Sequence, residues 1–291
     1  MSLLALALVT AMPSTLAQTL DTARPGDTIV LQSGNYRNIV IKRVFATPIT
    51  VDASGSTIRG LAISGGGVVW KSGTIIAPKG TNGVGPDVYG ALVTGTNVTF
   101  SGVTFSSSRK ALVLDRAKKI TISDSFFRGV GEDGIIASRT EGLTVVRNTF
   151  DRTVGKPTSC TIPSGVVRGL SRRDCQKRRG RWIDGFHADA VQMRNGVTDA
   201  LIADNVVNAN TQGLTQMDTI GDAPLRRIRI ERNSVTATIH QVTLGACIDC
   251  VIRANMIRRY RPANHRAIIR PGRAKRCEND TVDEPRDGRC R

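Results

Sequence analysis

One pattern recurs along the chain and limits what it can fold into: apolar, any, apolar, any, polar, Asn or similar, any, apolar. It reads VTFSGVTF at 98–105, ITISDSFF at 120–127, LTVVRNTF at 143–150, ALIADNVV at 200–207, IRIERNSV at 228–235 and CVIRANMI at 250–257. The last residues of successive units lie 22, 23, 57, 28 and 22 positions apart. Strict alternation excludes helical heptads. A period of about 22 is what stacked coils produce, each turn burying its inward side chains against the next. Asn148, Asn205, Asn233 and Asn255 occupy one place in their units. An Asn there suits a tight bend, because it tolerates a left-handed backbone and can bond the adjoining turn.

A second short strand follows each unit: ALVLD at 111–115, GIIAS at 134–138, AVQMR at 190–194, GLTQM at 213–217 and QVTLG at 241–245. Two or three short strands per coil, no helical stretches and 29 glycines predict a right-handed parallel β-helix, a single-stranded solenoid. One coil takes about 23 residues, so the spacing of 57 holds roughly 34 extra, which must leave the stack as a loop. The loop is placed at 153–185. It carries Cys160, Cys175 and the basic cluster Arg172, Arg173, Lys177, Arg178, Arg179 and Arg181. The solenoid is placed at 18–270, followed by a disulfide-containing tail at 271–291.

Residues 1–17 are apolar and end in Thr15-Leu16-Ala17, which reads as a secretory leader cut after Ala17, with a buried strand or helix as the alternative. No other apolar run approaches the ~20 residues of a membrane helix, so the expected protein is soluble, exported and either secreted or periplasmic. Six cysteines suit export. Sequence-local pairing, 160 with 175, 247 with 250 and 277 with 290, is the simplest of the fifteen connectivities. A zinc site at Cys247-x-x-Cys250 is the weaker reading, since no second CxxC exists.

Coils stack ~4.8 Å apart, so equal positions become neighbours. Aligning the second strands on Leu112, Ile135, Val191, Leu214 and Val242 sets Lys110, Asp133, Asp189, Gln212 and His240 in one column. Gln192 faces outward beside Ile136 and Thr215, and Arg194 lies level with Ser138. His187 precedes Asp189 by two. Two carboxylates one coil apart repel unless a cation or a shared proton relieves them. A Ca²⁺ held by Asp133 and Asp189 is one form of relief; an acid–base pair is the other.

The stretch ARPGDTIVLQSGNY at 23–36 resembles the opening of right-handed parallel β-helix proteins of the pectin-lyase-like superfamily, notably polysaccharide lyases. The stretch HADAVQ at 187–192 matches a His-x-Asp-x-x-Gln stretch on an equivalent strand of bacterial members. The resemblance implies a β-helix that acts on or binds polysaccharides. It does not carry the Lys-and-Arg pair of the alginate lyases, which has no counterpart here.

The net charge of +17 calls for an anionic partner. Few aromatics for stacking bases, together with export, argue against nucleic acid. The leading expectation is a lyase that cleaves a uronate-containing polysaccharide by β-elimination. His187 would be the base, with His240 or Lys110 as alternatives. Gln192, Arg194 or calcium would neutralise the substrate carboxylate. Lys110, Gln212, Arg172, Arg173 and Arg181 would bind the polymer. A C5 epimerase, a glycoside hydrolase using Asp133 and Asp189, and a non-catalytic carbohydrate-binding β-helix are the alternatives. Neither the polymer nor the oligomeric state is legible.

Overall fold

The computed structural model describes residues 7–78, 89–151, 159–163, 165–168, 172–183, 188–208, 212–216, 221–259 and 266–290. Its strands pair in parallel in two large sheets, as a right-handed β-helix with three ladders. One coil shows the pattern: Lys118–Ser123 in the first ladder, Phe126–Arg128 in the second, Ile135–Ser138 in the third. The first ladder forms a 12-stranded sheet, while the second and third are joined in a 17-stranded one. The expected solenoid is present.

The register follows the hydrophobic alternation. Ile120 pairs with Val98 below and Leu143 above, and all three are fully buried. Phe105, Phe127 and Phe150, equivalent residues of the second ladder, stack with ring centroids 4.7 and 4.4 Å apart. Their spacing is close to that of paired strands, so the aromatic column adds stacking to plain burial.

The asparagine column departs from its expected geometry. The left-handed residue is the one before it: Asp124, Arg147, Asp204, Arg232, Ala254 and Glu278 have φ between 53° and 57°. The asparagines point inward as a hydrogen-bonded ladder. The Asn148 backbone N–H and Nδ2 donate to Asn205 Oδ1 at 2.9 and 3.0 Å. Asn205 donates in the same way to Asn233, Asn233 to Asn255, and Asn255 to Asn279. Each carboxamide oxygen thus satisfies a backbone N–H that the bend would otherwise strand in the core. Ser125 takes the place of asparagine at the start of the ladder, its Oγ accepting from the Val103 N–H at 3.1 Å. At the other end Asn279 Nδ2 donates to Asp287 at 2.7 Å.

Both ends reach further than expected. Lys275–Cys277 pairs with Val251–Arg253 and Asp280–Thr281 pairs with Met256–Ile257, so the supposed tail is the last coil. At the other end Leu8–Ala11 pairs with Thr28–Leu31. The helix Leu16–Thr22 buries Leu16 and Leu20. Of the two readings of this segment, the strand and helix describe its residues from Leu8 onward. The turn at 23–36 serves this cap. Asp27 accepts from the backbone N–H of Ala7 and Arg24. The Tyr36 hydroxyl donates to Ala11 O and Gln32 O, each at 2.8 Å. Removing residues 1–17 is expected to cost about 2–3 kcal/mol and about 5–10 °C in Tm, and to promote association through the bared strand edge. Calorimetry with light scattering tests it; an unchanged, monodisperse melt would show that the cap contributes nothing.

The three local disulfides form: Cys160–Cys175, Cys247–Cys250 and Cys277–Cys290. The Cys247-x-x-Cys250 pair is therefore a disulfide and not a metal site. The predicted insertion leaves the stack as its own antiparallel sheet, with Ser159–Ile162 between Gly165–Arg168 and Arg181–Ile183. The short helix Arg172–Lys177 is tied to it by the first disulfide. Gly180 lies so close that a Cβ would meet Cys160 Sγ at 2.4 Å. No helix among the described residues is long and apolar enough to cross a membrane.

Candidate functional site

The third ladder begins with a bend that decides which way its first side chains point. Two consecutive positions face the core. Leu112, Ile135, Val191 and Leu214 are one, and the small residues Ala111, Gly134, Ala190 and Gly213 before them are the other. A Cβ at Gly134 would meet the Phe150 ring at 3.0 Å, and one at Gly213 would meet Val235 Cγ1 at 2.7 Å. The inward pair shifts the alternation. Residues two before the apolar anchor consequently share the outer face with residues one after it. Lys110, Asp133, Asp189, Gln212 and His240 thus stand beside Val113, Ile136, Gln192, Thr215 and Thr243.

The register makes both rows explicit. Asp189 pairs with Gln212, and Gln212 with His240. Ile136 pairs with Gln192, Gln192 with Thr215, and Thr215 with Thr243. The column expected from the repeat spacing is present across the insertion.

Asp189 is the hub. It is 0% exposed. Thr215 Oγ1 donates to its Oδ1 at 2.7 Å, and Gln192 Nε2 donates to its Oδ2 at 2.9 Å. Its own backbone N–H donates to Asp133 Oδ1 at 3.0 Å, which brings the second carboxyl within one coil. Thr215 was not singled out from the sequence as a site residue. Its place beside Gln192 was visible, but the bend that turns Asp189 toward it was not.

Asp133 is 3% exposed. Burial, then the charge of Asp189, push its carboxyl up to about 8, while the Asp189 N–H and Lys110 oppose the shift and Glu132 adds to it. Asp133 therefore favours its protonated form at neutral pH, which relieves the repulsion with Asp189. Hydrogen-bond donors already occupy Asp133 Oδ1 and both oxygens of Asp189. Among the described residues no group of three or more His, Cys, Asp or Glu side chains converges, and no metal role is assigned to Asp133 and Asp189.

A raised Asp133 has a measurable consequence. The unfolded chain releases this proton near pH 4, whereas the folded one holds it to about 8. Its stabilising contribution is full below about pH 4 and is lost as pH rises through about 8. The melting temperature of the wild type is expected to fall over that window, and the fall should be smaller in Asp133→Asn. Equal slopes for the two proteins would remove the protonated Asp133 from the account.

The other expected residues divide. Lys110 and His240 are half-buried on the outer row, and Lys110 is close enough to act on Asp133 electrostatically. Gln212 is buried between Asp189 and His240 in register. Arg194 does not join the group. It is exposed at the far end of its strand, level with Ser138, and five residues of strand put it ~16 Å from Asp189. His187 lies outside the described residues. Arg173 is exposed on the inserted helix; the side chains of Arg172 and Arg181 lie outside what is described.

No protein-family model matches the chain, and no curated protein does. Among solved structures it is similar to the Dettilon tailspike protein, with a TM-score of 0.55 and 11% identity over 92% of this chain and 56% of that one. It is also similar to pectate lyase Pel9A, with a TM-score of 0.49, 12% identity and coverage of 87% and 63%. A third likeness is to an alginate lyase from Paenibacillus sp. str. FPU-7, with a TM-score of 0.40, 14% identity and coverage of 89% and 97%. The chain spans little more than half of the tailspike. At these identities the likeness establishes the β-helix fold and nothing finer.

Proposed function

We propose that this exported protein cleaves a uronate-containing polysaccharide by β-elimination on the outer face of the third ladder. The observation that carries the proposal is the linked set Asp133, Asp189, Gln192 and Thr215, in which one carboxyl keeps its proton and the other accepts two side-chain donors. Elimination needs the C6 carboxylate neutralised, the C5 proton removed and the leaving oxygen protonated. Gln192 is only partly covered, and its amide is aimed by Asp189. Its remaining N–H can bond the charge that develops on the substrate carboxylate. The two buried carboxyls act through such groups; they position, and the half-buried side chains touch the polymer.

His187 is assigned the proton abstraction, because an imidazole titrates near the working pH. Lys110 and His240, at either end of the row, are the alternatives. The exposed cations Arg173 and Lys177 of the inserted helix and Arg178 just after it would draw an anionic chain toward the face. No step is assigned to a metal.

A hydrolase is the second reading, favoured by the unequal protonation of the carboxyl pair, which is how acid and base roles separate. A panel of acidic polysaccharides distinguishes the two. Elimination creates a double bond and ultraviolet absorbance; hydrolysis releases reducing ends without it. The His187→Ala variant, run alongside, tests the base. Reducing ends without absorbance would replace the lyase by the hydrolase, and no product from any polymer would overturn both.

A further inference from the structure

The corner that follows the first ladder carries a line of alternating charge. Asp124, Arg147, Asp204 and Arg232 occupy it one coil after another. Arg147 bonds Asp124, and Arg232 bonds Asp204, each through Nε and Nη2. The next place belongs to Ala254, with φ of 53°, and there the alternation stops.

At this break three guanidiniums gather on one carboxylate. Glu231 lies on the outer face of the first ladder, level with Ala203 and Arg253, yet it is only 2% exposed. Arg229 Nε donates to its Oε1 at 2.8 Å, and Arg232 Nη1 donates to its Oε2 at 2.9 Å. Arg253 Nη2 lies 3.6 Å from the same Oε2. Burial opposes the charge of Glu231, but these cations hold its carboxyl below the usual range.

The three arginines are unequally occupied. Arg232 commits Nε, Nη1 and Nη2 to Asp204 and Glu231. Among the described residues Arg229 gives only Nε to a carboxylate, and its side chain is 57% exposed. Arg253 Nε finds no hydrogen-bond acceptor, and its side chain is 39% exposed. With Asp204 included, the cluster sets three positive charges against two negative ones. One carboxylate balances that excess, whereas a phosphate dianion exceeds it. Guanidiniums already oriented by a buried acid can take a second carboxylate with little further loss of side-chain freedom.

We infer that Arg229 and Arg253, held by Glu231, bind a uronate carboxylate of an acidic polysaccharide at a second site, on a different ladder from Gln192. The inference rests on the proposed function for the class of polymer. Such a site tethers the polymer away from the reacting unit, so it raises affinity for long chains and leaves turnover of short ones unchanged.

Affinity electrophoresis through gels containing polygalacturonate, alginate, polyphosphate or neutral dextran tests this. Arg229→Gln and Arg253→Gln are each expected to weaken binding to one of the two polyuronates by about tenfold. Both should process short oligouronides at the wild-type rate. Arg37→Gln, exposed on an N-terminal coil, removes the same charge elsewhere and should bind as the wild type does. Circular dichroism verifies each fold, and either cluster variant suffices if the other misfolds. Wild-type binding by the folded cluster variants, or an equal loss in Arg37→Gln, overturns the second site and leaves the proposed function standing. A rate on short oligouronides that falls together with binding overturns it too, since the arginines would then belong to the reacting site. Equal retention by polyphosphate, lost in the same variants, overturns the assignment to a carboxylate. Binding lost in the variants with no product from any polymer keeps the site and removes the reaction. If the wild type binds neither polyuronate, the site falls with the polymer class on which it rests.

Discussion

Asp189→Ala is expected to lower kcat/KM on the susceptible polymer by on the order of 10³-fold, the scale on which a preorganised polar site loses one of its fixed partners. The side chain holds Gln192 and Thr215 at once, so its removal frees the amide from its side-chain anchor among the described residues and strips a buried hydroxyl of its acceptor. Alanine alone confuses chemistry with folding. Asp189→Asn separates them, because its carboxamide oxygen can still accept from Thr215 while the negative charge is lost. That variant should melt near the wild type and still lose on the order of 10²-fold in turnover. Thr215→Val removes a hydrogen bond that Asp189 Oδ1 accepts at 2.7 Å and should lower turnover while leaving the fold in place. An Asp189→Asn protein with wild-type turnover would reduce the whole cluster to a structural feature.

Asn205→Ala should cost about 3–5 kcal/mol of stability. Asn205 is almost wholly buried in mid-ladder. Its Oδ1 accepts from the Asn148 backbone N–H and Nδ2, and its Nδ2 donates to Val145 O and Asn233 Oδ1. Alanine strands these partners in a core where water cannot replace them. Asn205→Ser should cost about half as much, since Ser125 already accepts a backbone N–H from the equivalent place. Urea unfolding of the three proteins gives the ordering; an alanine variant within about 1 kcal/mol of wild type would show that the ladder is ornamental.

The fold was legible because a β-helix writes its geometry as a period. Residues such as Leu112, Ile135 and Val191 are anchored by burial alone, and burial is what alternation encodes. The column Lys110, Asp133, Asp189, Gln212, His240 followed from that spacing. What the spacing could not reveal was the direction of those side chains. Plain alternation from Val191 turns Asp189 inward, yet the small residues at 134, 190 and 213 let the chain bend and swing it onto the outer face. Thr215 was overlooked for the same reason. The left-handed bend was assigned to the asparagines, one residue late. Positive φ at a varied set of residues, from Asp124 to Ala254, leaves no single-residue signature. The ends were misjudged because a capping strand and a last coil lack the full repeat.

The inserted subdomain interrupts the sequence without interrupting the stack. Ile135 still pairs with Val191, Thr149 with Val206, and Asn148 still bonds Asn205 across 57 positions. Among the described residues its sheet pairs only with itself, and it has its own covalent tie. Such an element behaves as an exchangeable cassette: a different loop could be spliced at the same point with the coils below and above left in place. On the proposed function, selectivity for a polymer could then change through the cassette while the scaffold stays fixed.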